Sequence, residues 1–263
     1  PKQSKYIDGG PKMNDYNFKD EVKMFFPRLG FWQEQGKIEA YRAWLNPEFN
    51  VVNRDSKDVV QTFPTAQEKQ ANDYAAALNK KGTGDYYVKD HITWGDNIRF
   101  FFKYQVGFMY FRYFMWDFAG RQDDIQGTYA NDNGRWLSGI PFIDNSHRFS
   151  TPDWPQQHLP QSMLKNKARN KFYMIQLIIG LIGLIFTFFK DEKTFWLIGI
   201  FFFTTGLAQI IFQNEPPIEP RERDYSTACS FAIYTIWLGF GVIAIIDLLI
   251  KRFKLPEIPA SLA

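Results

Sequence analysis

The chain has 263 residues and a formal net charge of +3; 45% of its residues are hydrophobic, 18% aromatic and 22% charged. This small net charge argues against a nucleic-acid partner, and the single cysteine, Cys229, excludes an internal disulfide. The mean hydropathy of −0.33 is typical of a soluble protein, but the apolar residues are concentrated between 172 and 250. We therefore expect a soluble part and a membrane part in one chain.

Residues 1–97 are predicted to form a soluble, loop-rich segment with short helices. The stretches "KIEAYRAWL" (37–45) and "TAQEKQANDYAAALNKK" (65–81) have helical patterns. Pro47 and Gly82 follow them, and both residue types commonly end helices.

Residues 98–170 are predicted to form an aromatic helix followed by loops. The helix, "IRFFFKYQVGFMYFRYFMWDF" (98–118), is long enough to cross a membrane, but its charged residues argue against a lipid-facing span. At 100° per residue, Arg99, Lys103, Asp117 and Arg121 lie on one polar stripe. We predict a helix that lies at the membrane interface or packs against membrane helices.

Arg112, on nearly the opposite face of this helix together with Gln105, is a candidate binding residue. A guanidinium among aromatic rings is either a cation–π partner or part of a buried ion pair. Structural packing is the interpretation that we favour for it.

The loop "AGRQDDIQG" (119–127) supplies three further candidates, Arg121, Gln122 and Asp124. Arginine can hold a carboxylate or a phosphate through two parallel hydrogen bonds, and the adjacent acids Asp123 and Asp124 could hold a divalent cation. The alternative, which we favour, is a salt-bridged loop that anchors the end of the helix.

Residues 171–263 are predicted to contain three transmembrane helices, at about 172–189, 194–212 and 229–250. Each run is close to the roughly 20 residues that cross a hydrocarbon core. The "KDEK" turn (190–193) makes the first two an antiparallel hairpin. Glycines in the first and third runs would permit close helix contact: Gly180, Gly183, Gly239 and Gly241.

The connector "FQNEPPIEPRERDYSTACSF" (212–231) places a dense group of charges beside the third run. Charges this close to hydrocarbon are unfavourable unless they are paired or solvated. The group either neutralises itself as a structural clamp or binds an anionic headgroup, with arginine on phosphate and aspartate on a sugar hydroxyl. Its candidate residues are Arg221, Glu222, Arg223, Asp224 and Tyr225.

The sequence contains no metal-binding spacing and no known soluble-enzyme motif. His91, His147 and His158 are dispersed, and phosphate-loop and dinucleotide patterns are absent. We therefore predict no metal site from the residues.

Several uncommon strings recur together in one family. "FFFKYQVGFMYFRYFMWDFAGRQDDIQG", "RWLSGIPFID" and "QNEPPIEPRERDYSTACSFAIYTIWLGFG" resemble the DUF2723 family over roughly residues 94–250. These are multi-pass membrane proteins of Bacteroidota, similar to the protein O-mannosyltransferases and placed among the GT-C type glycosyltransferases.

The resemblance implies a transferase that moves a sugar from a polyprenyl-phosphate carrier to Ser or Thr hydroxyls of an exported protein. It also implies an inner-membrane protein with extracytoplasmic soluble loops. The catalytic acid of such enzymes lies in an early loop that this chain lacks, so the catalytic residue is unknown and a divalent cation stays open. Because the chain begins at Pro1, we expect a piece of a longer polypeptide.

The predicted fold is mainly α: a polytopic membrane protein with three transmembrane helices, an interfacial aromatic helix and an irregular soluble portion. The alternative to a transferase is a non-catalytic membrane subunit or scaffold of a larger membrane complex.

Overall fold

The computed structural model describes residues 35–45, 47–125, 134–145, 159–217 and 224–253. It is mainly α-helical, as predicted, with 65% of it in helices. The α-helices are α1 (Gln35–Leu45), α2 (Glu68–Lys80), α3 (Trp94–Phe100), α4 (Arg112–Phe118), α5 (Pro141–Asp144), α6 (Gln161–Leu164), α7 (Ile175–Lys190), α8 (Glu192–Thr205), α9 (Leu207–Gln213) and α10 (Ala228–Phe253). The strands are β1 (Glu48–Asn53), β2 (Val59–Phe63) and β3 (Tyr86–His91).

The segment before the aromatic helix contains a three-stranded antiparallel sheet, which the sequence analysis did not predict. The strand order is β2-β1-β3, and α2 packs on one face through a small core of Phe49, Val51, Ala71 and Ala75. The predicted helices are confirmed as α1 and α2. The strands were not predicted because they are short. β1 is also buried on both faces, so its sequence lacks the polar–apolar alternation of a half-buried strand.

A bidentate ion pair joins α1 to the sheet. The Arg42 guanidinium donates to both carboxylate oxygens of Asp90, at 2.9 and 2.7 Å, and also to Glu68 on α2. The hydrogen bond to Asp90 raises the pKa of Arg42 above its ordinary value.

The aromatic segment is one continuous helix over residues 94–118, which we call the aromatic helix. It begins in a capping box formed by Thr93 and Asp96, and its middle, Phe101–Phe111, has π-helical hydrogen bonding between α3 and α4. Arg99, Lys103 and Asp117 are exposed, as the polar stripe predicts, whereas Arg121 beyond the helix is half-buried. Aromatic side chains beside this stripe pack on α10: Phe114 and Phe118 contact the Tyr234 ring. The structure therefore supports packing against apolar helices, one of the two predicted placements.

Two helical stretches in the described part of the chain are long and apolar enough to cross a membrane. They are Glu192–Gln213 and Tyr225–Phe253, with 22 and 29 residues. Only 17% of the most apolar window of each is buried, whereas the core helix of a soluble protein would be mostly buried. The predicted span at 172–189 is a shorter helix, α7, of 16 residues, because Tyr173 and Met174 adopt positive φ and delay its start.

Glycines bring α7 and α10 into backbone contact, as predicted for three of the four positions. A Cβ atom on Gly183 would overlap the Trp237 carbonyl oxygen, and one on Gly241 would overlap that of Ile179. Gly180 faces the Tyr234 ring, but a Cβ atom on Gly239 would have no neighbour within 4 Å and would face open space.

The second predicted span is broken at Gly206, between α8 and α9. Gly206 has φ −113° and ψ −96°, so the helical hydrogen-bond ladder is interrupted. The Ser230 hydroxyl donates to the Phe202 carbonyl at 3.0 Å and contacts the Tyr110 hydroxyl at 2.7 Å. The Ser230 side chain of α10 therefore satisfies a carbonyl that the break frees, and the Tyr110 hydroxyl hydrogen-bonds in turn to Ser230.

Candidate functional site

Three extended segments meet where the aromatic helix ends, and we call this the loop junction. Residues 119–122 form the middle segment. The backbone N–H of Gln122 donates to the Arg135 carbonyl on one side, and the backbone N–H of Phe172 donates to the Ala119 carbonyl on the other. Gly120 has φ +125°, and a Cβ there would lie 2.5 Å from the Leu137 carbonyl oxygen. The junction therefore needs glycine at this position.

Arg112 is buried and holds part of the junction. Its guanidinium stacks on the rings of Phe108, at 3.9 Å, and Tyr113, at 4.3 Å. Its Nη1 donates to the Gly134 carbonyl and its Nε to that of Phe108. These contacts agree with the packing interpretation of Arg112, with cation–π contacts as one component.

The acidic loop after the helix is also engaged in structure. The Oδ1 atom of Asp123, a buried residue, accepts from the backbone N–H groups of Gly134 and Ile125, at 2.9 and 3.1 Å. Gly134 thus links two side chains, because its carbonyl accepts from Arg112 and its N–H donates to Asp123. The sequence analysis considered Asp123 only as a possible cation ligand beside Asp124. In the structure its carboxylate instead accepts from backbone N–H groups of the loops.

The other candidates in this loop differ in exposure. The Arg121 Nε donates to the Ala168 carbonyl at 3.1 Å, Gln122 is fully buried and Asp124 is exposed. These positions agree with the anchoring interpretation rather than with one convergent binding site. Burial also lowers the pKa of Arg169 at the rim of the junction, although Asp144 and Asp123 oppose that shift.

The predicted connector site falls mostly outside the described residues. Arg221, Glu222 and Arg223 lie there entirely, as does the side chain of Asp224, which begins a short 3-10 helix at Asp224–Thr227. Tyr225 is described and is exposed.

The two ends of the connector are attached to their surroundings. Asn214 accepts a hydrogen bond from Gln105 of the aromatic helix at 2.9 Å, and Ser226 donates to Gln213 at 3.0 Å. Glu215, between these contacts, is buried. The described ends of the connector therefore contact each other through Ser226 and Gln213, and one of them contacts the aromatic helix through Asn214. They lie at the end of the bundle that also carries the loop junction, which we call the loop end.

An open groove of about 430 Å³ runs down α10 from the loop end. Asp117 and Gln176 supply polar groups, and small or apolar residues supply the rest. The side-chain oxygen of Gln176 is buried and has no hydrogen-bond partner in the described part of the chain. The groove-lining residues are Asp117, Phe118, Gln176, Ala228, Phe231, Ala232, Thr235 and Leu238. A groove with two polar groups among small and apolar residues suits an amphiphile with a long hydrocarbon chain.

Among the described residues, no group of three or more His, Cys, Asp or Glu side chains has a geometry that could hold a metal ion. The acids of the candidate loop do not converge, since Asp123 is turned toward backbone N–H groups and Asp124 toward solvent.

Comparison with known protein families, with curated proteins and with solved structures finds no match to this chain.

Proposed function

We propose that this chain is part of a membrane glycosyltransferase that takes a sugar from a polyprenyl-phosphate carrier and passes it to Ser or Thr hydroxyls of exported proteins. The observation that carries the proposal is the groove along α10. Its apolar residues would take the isoprenoid chain of the donor, and its first residue on α10, Ala228, lies at the loop end. The sequence resemblance to the DUF2723 family gives the reaction class.

The connector would complete the donor site. Arg221 and Arg223 precede Ala228, the first groove residue on α10, by seven and five positions. A guanidinium is suited to phosphate because it offers two parallel N–H donors. In this proposal the connector arginines meet the carrier phosphate, and Asp224 orients Arg223 or a sugar hydroxyl.

The proposed placement is in the inner membrane, with α7, the α8–α9 pair and α10 crossing it. The bundle surface supports this, since large apolar side chains point outward on all of these helices, among them Ile185, Phe201 and Ile243. With three spans, the loop junction and the connector lie on one side and the 190–193 turn on the other. We place the first side outside the cytoplasm, where an exported acceptor is found.

Filling the groove tests the proposal. Ala232→Phe would place a ring in the groove, whereas Ile236→Phe changes an exposed residue of the same helix that does not line it. We expect wild type and Ile236→Phe to retain a polyprenyl phosphate in native mass spectrometry, and Ala232→Phe to lose at least about tenfold in affinity. Equal retention by the two variants would contradict the proposed donor site.

The alternative is a non-catalytic membrane subunit or scaffold. It is favoured by the structural engagement of Arg112, Arg121 and Asp123, which leaves few polar groups of the junction for chemistry. A scaffold predicts no saturable binding of polyprenyl phosphate and co-purification with a fixed membrane partner. The groove experiment therefore separates the two functions.

A further inference from the structure

A rigid turn at residues 138–144 presents one phenylalanine to the outside; we call it the Phe142 turn. The Asp144 carboxylate accepts from the Ser138 N–H at 2.8 Å, the Ser138 hydroxyl at 2.7 Å and the Gly139 N–H at 2.8 Å. Asp144 itself is buried, whereas Phe142 is 87% exposed. Three hydrogen bonds thus fix the backbone of a turn whose largest side chain contacts almost nothing.

The Phe142 turn is attached to the start of the apolar helix α7. The Tyr173 N–H donates to the Ser138 carbonyl at 2.9 Å, and Gly139 packs so closely on Lys171 that a Cβ there would lie 2.9 Å from the lysine Cβ. Tyr173 and Ile175 are both more than half exposed. Apolar surface therefore continues from α7 onto the turn, and an aromatic ring at such a boundary is typical of a membrane interface.

The chain that leads to Tyr173 is cationic on its outer side. Lys165, Lys167 and Lys171 are exposed, and Asp117 and Asp124 are the exposed acids of the neighbouring helix end and loop. Exposed lysines beside an apolar surface match the negative phosphates of anionic phospholipids. Long lysine side chains can also extend their charge to the headgroups while the stem lies along apolar surface.

From this arrangement we infer that the loop end binds an anionic phospholipid surface, with Phe142 inserted among the headgroups and Lys165, Lys167 and Lys171 on the phosphates. The surface would hold the loop junction at a fixed depth beside the groove. The inference rests on the proposed membrane placement of α7 and α10.

Fluorescence quenching tests the depth of Phe142. The native cysteine is removed by Cys229→Ser, and an environment-sensitive fluorophore is attached to Phe142→Cys, to Val242→Cys on the exposed face of α10, or to Ser56→Cys in the turn between β1 and β2. The protein is placed in nanodiscs that contain phosphatidylglycerol, phosphatidylcholine and a spin-labelled lipid. We expect quenching at 142 and at 242 and none at 56.

The controls separate the two claims. Quenching at 242 with none at 142 would overturn the interface inference and leave the spans standing. Quenching at neither site would overturn both.

A second comparison tests the charges. The double variant Lys167→Glu with Lys171→Glu should reduce quenching at residue 142 about threefold or more in phosphatidylglycerol discs. The same reversal at Lys80 and Lys81, exposed residues at the end of α2, should leave it unchanged. Equal effects of the two charge reversals would contradict a headgroup contact.

Discussion

Arg112 shows how one side chain can suggest a binding site and serve the fold. From the sequence, a cation among aromatic residues is compatible with ligand binding or packing. The structure gives its guanidinium two backbone carbonyls and two ring faces as neighbours. The sequence could not identify the Gly134 contact, because that residue is 22 positions away along a loop.

Arg112→Ala should destabilise the protein. It removes two charge-assisted hydrogen bonds and the ring contacts, and it leaves buried carbonyls without that donor, so we expect a loss of about 2–4 kcal/mol. Arg112→Lys should recover only part of this stability. The lysine ammonium cannot stack on the rings and donate to both carbonyls at once, as the planar guanidinium does. Thermal unfolding in detergent measures the effect. If Arg112→Ala unfolds at the wild-type temperature but no longer retains polyprenyl phosphate, Arg112 belongs to the donor site instead.

Asp191 caps the helix that follows the hairpin turn, and its pKa gives a pH dependence. Hydrogen bonds from the Thr194 hydroxyl and N–H lower the pKa of Asp191 below its ordinary value. A lowered folded-state pKa contributes stability at neutral pH, and that contribution is lost as the pH falls through the lowered value.

Asp191→Ala should therefore be less stable than wild type at pH 7, and the difference should shrink below about pH 4. Unfolding temperatures of the two proteins over a pH series measure this. A difference that stays constant to low pH would show that the carboxylate charge is not involved.

At the scale of the helices, close backbone contact between α7 and α10 organises the apolar bundle. The sequence predicted this contact from small residues, and the structure places three of the four glycines at it. The glycine spacing alone could not show that Gly239 lies away from the α7–α10 contact. The contacting face of a helix is known only when the position of the neighbouring helix is known.

Gly183→Ala should disrupt this contact, whereas Gly239→Ala should not. A methyl group at Gly183 meets backbone, which cannot move as a side chain can, so we expect a cost of about 1–3 kcal/mol or more. Gly239→Ala enters open space and serves as the matched control. Equal unfolding temperatures for the two variants would contradict the α7–α10 packing.

The elements that the sequence failed to predict have identifiable physical causes. The sheet is built from strands of five and six residues, whose pattern is set by contacts made across the chain rather than locally. The π-helical hydrogen bonding of Phe101–Phe111 was not predicted either, because a pattern of apolar residues does not show which carbonyl each N–H group reaches. Long apolar runs are recognised more reliably because their signal does not depend on a partner.

For the whole molecule, the division into a polar half and an apolar half was readable from composition, and the structure adds the geometry of their junction. The loop junction, the connector ends and the first groove residue, Ala228, lie at one end of the bundle, whereas the turn that contains Asp191 joins the end of α7 to the start of α8 at the far end. If α7, the α8–α9 pair and α10 cross a membrane, these two ends face its opposite sides.

Cysteine labelling in sealed right-side-out membrane vesicles tests that arrangement most directly. In a Cys229→Ser background, Ser56→Cys and Asp191→Cys are treated with a membrane-impermeant maleimide before and after permeabilisation. We expect residue 56 to react in sealed vesicles and residue 191 to react only after permeabilisation. Equal labelling of both residues in sealed vesicles would place the two ends on one side and contradict this arrangement.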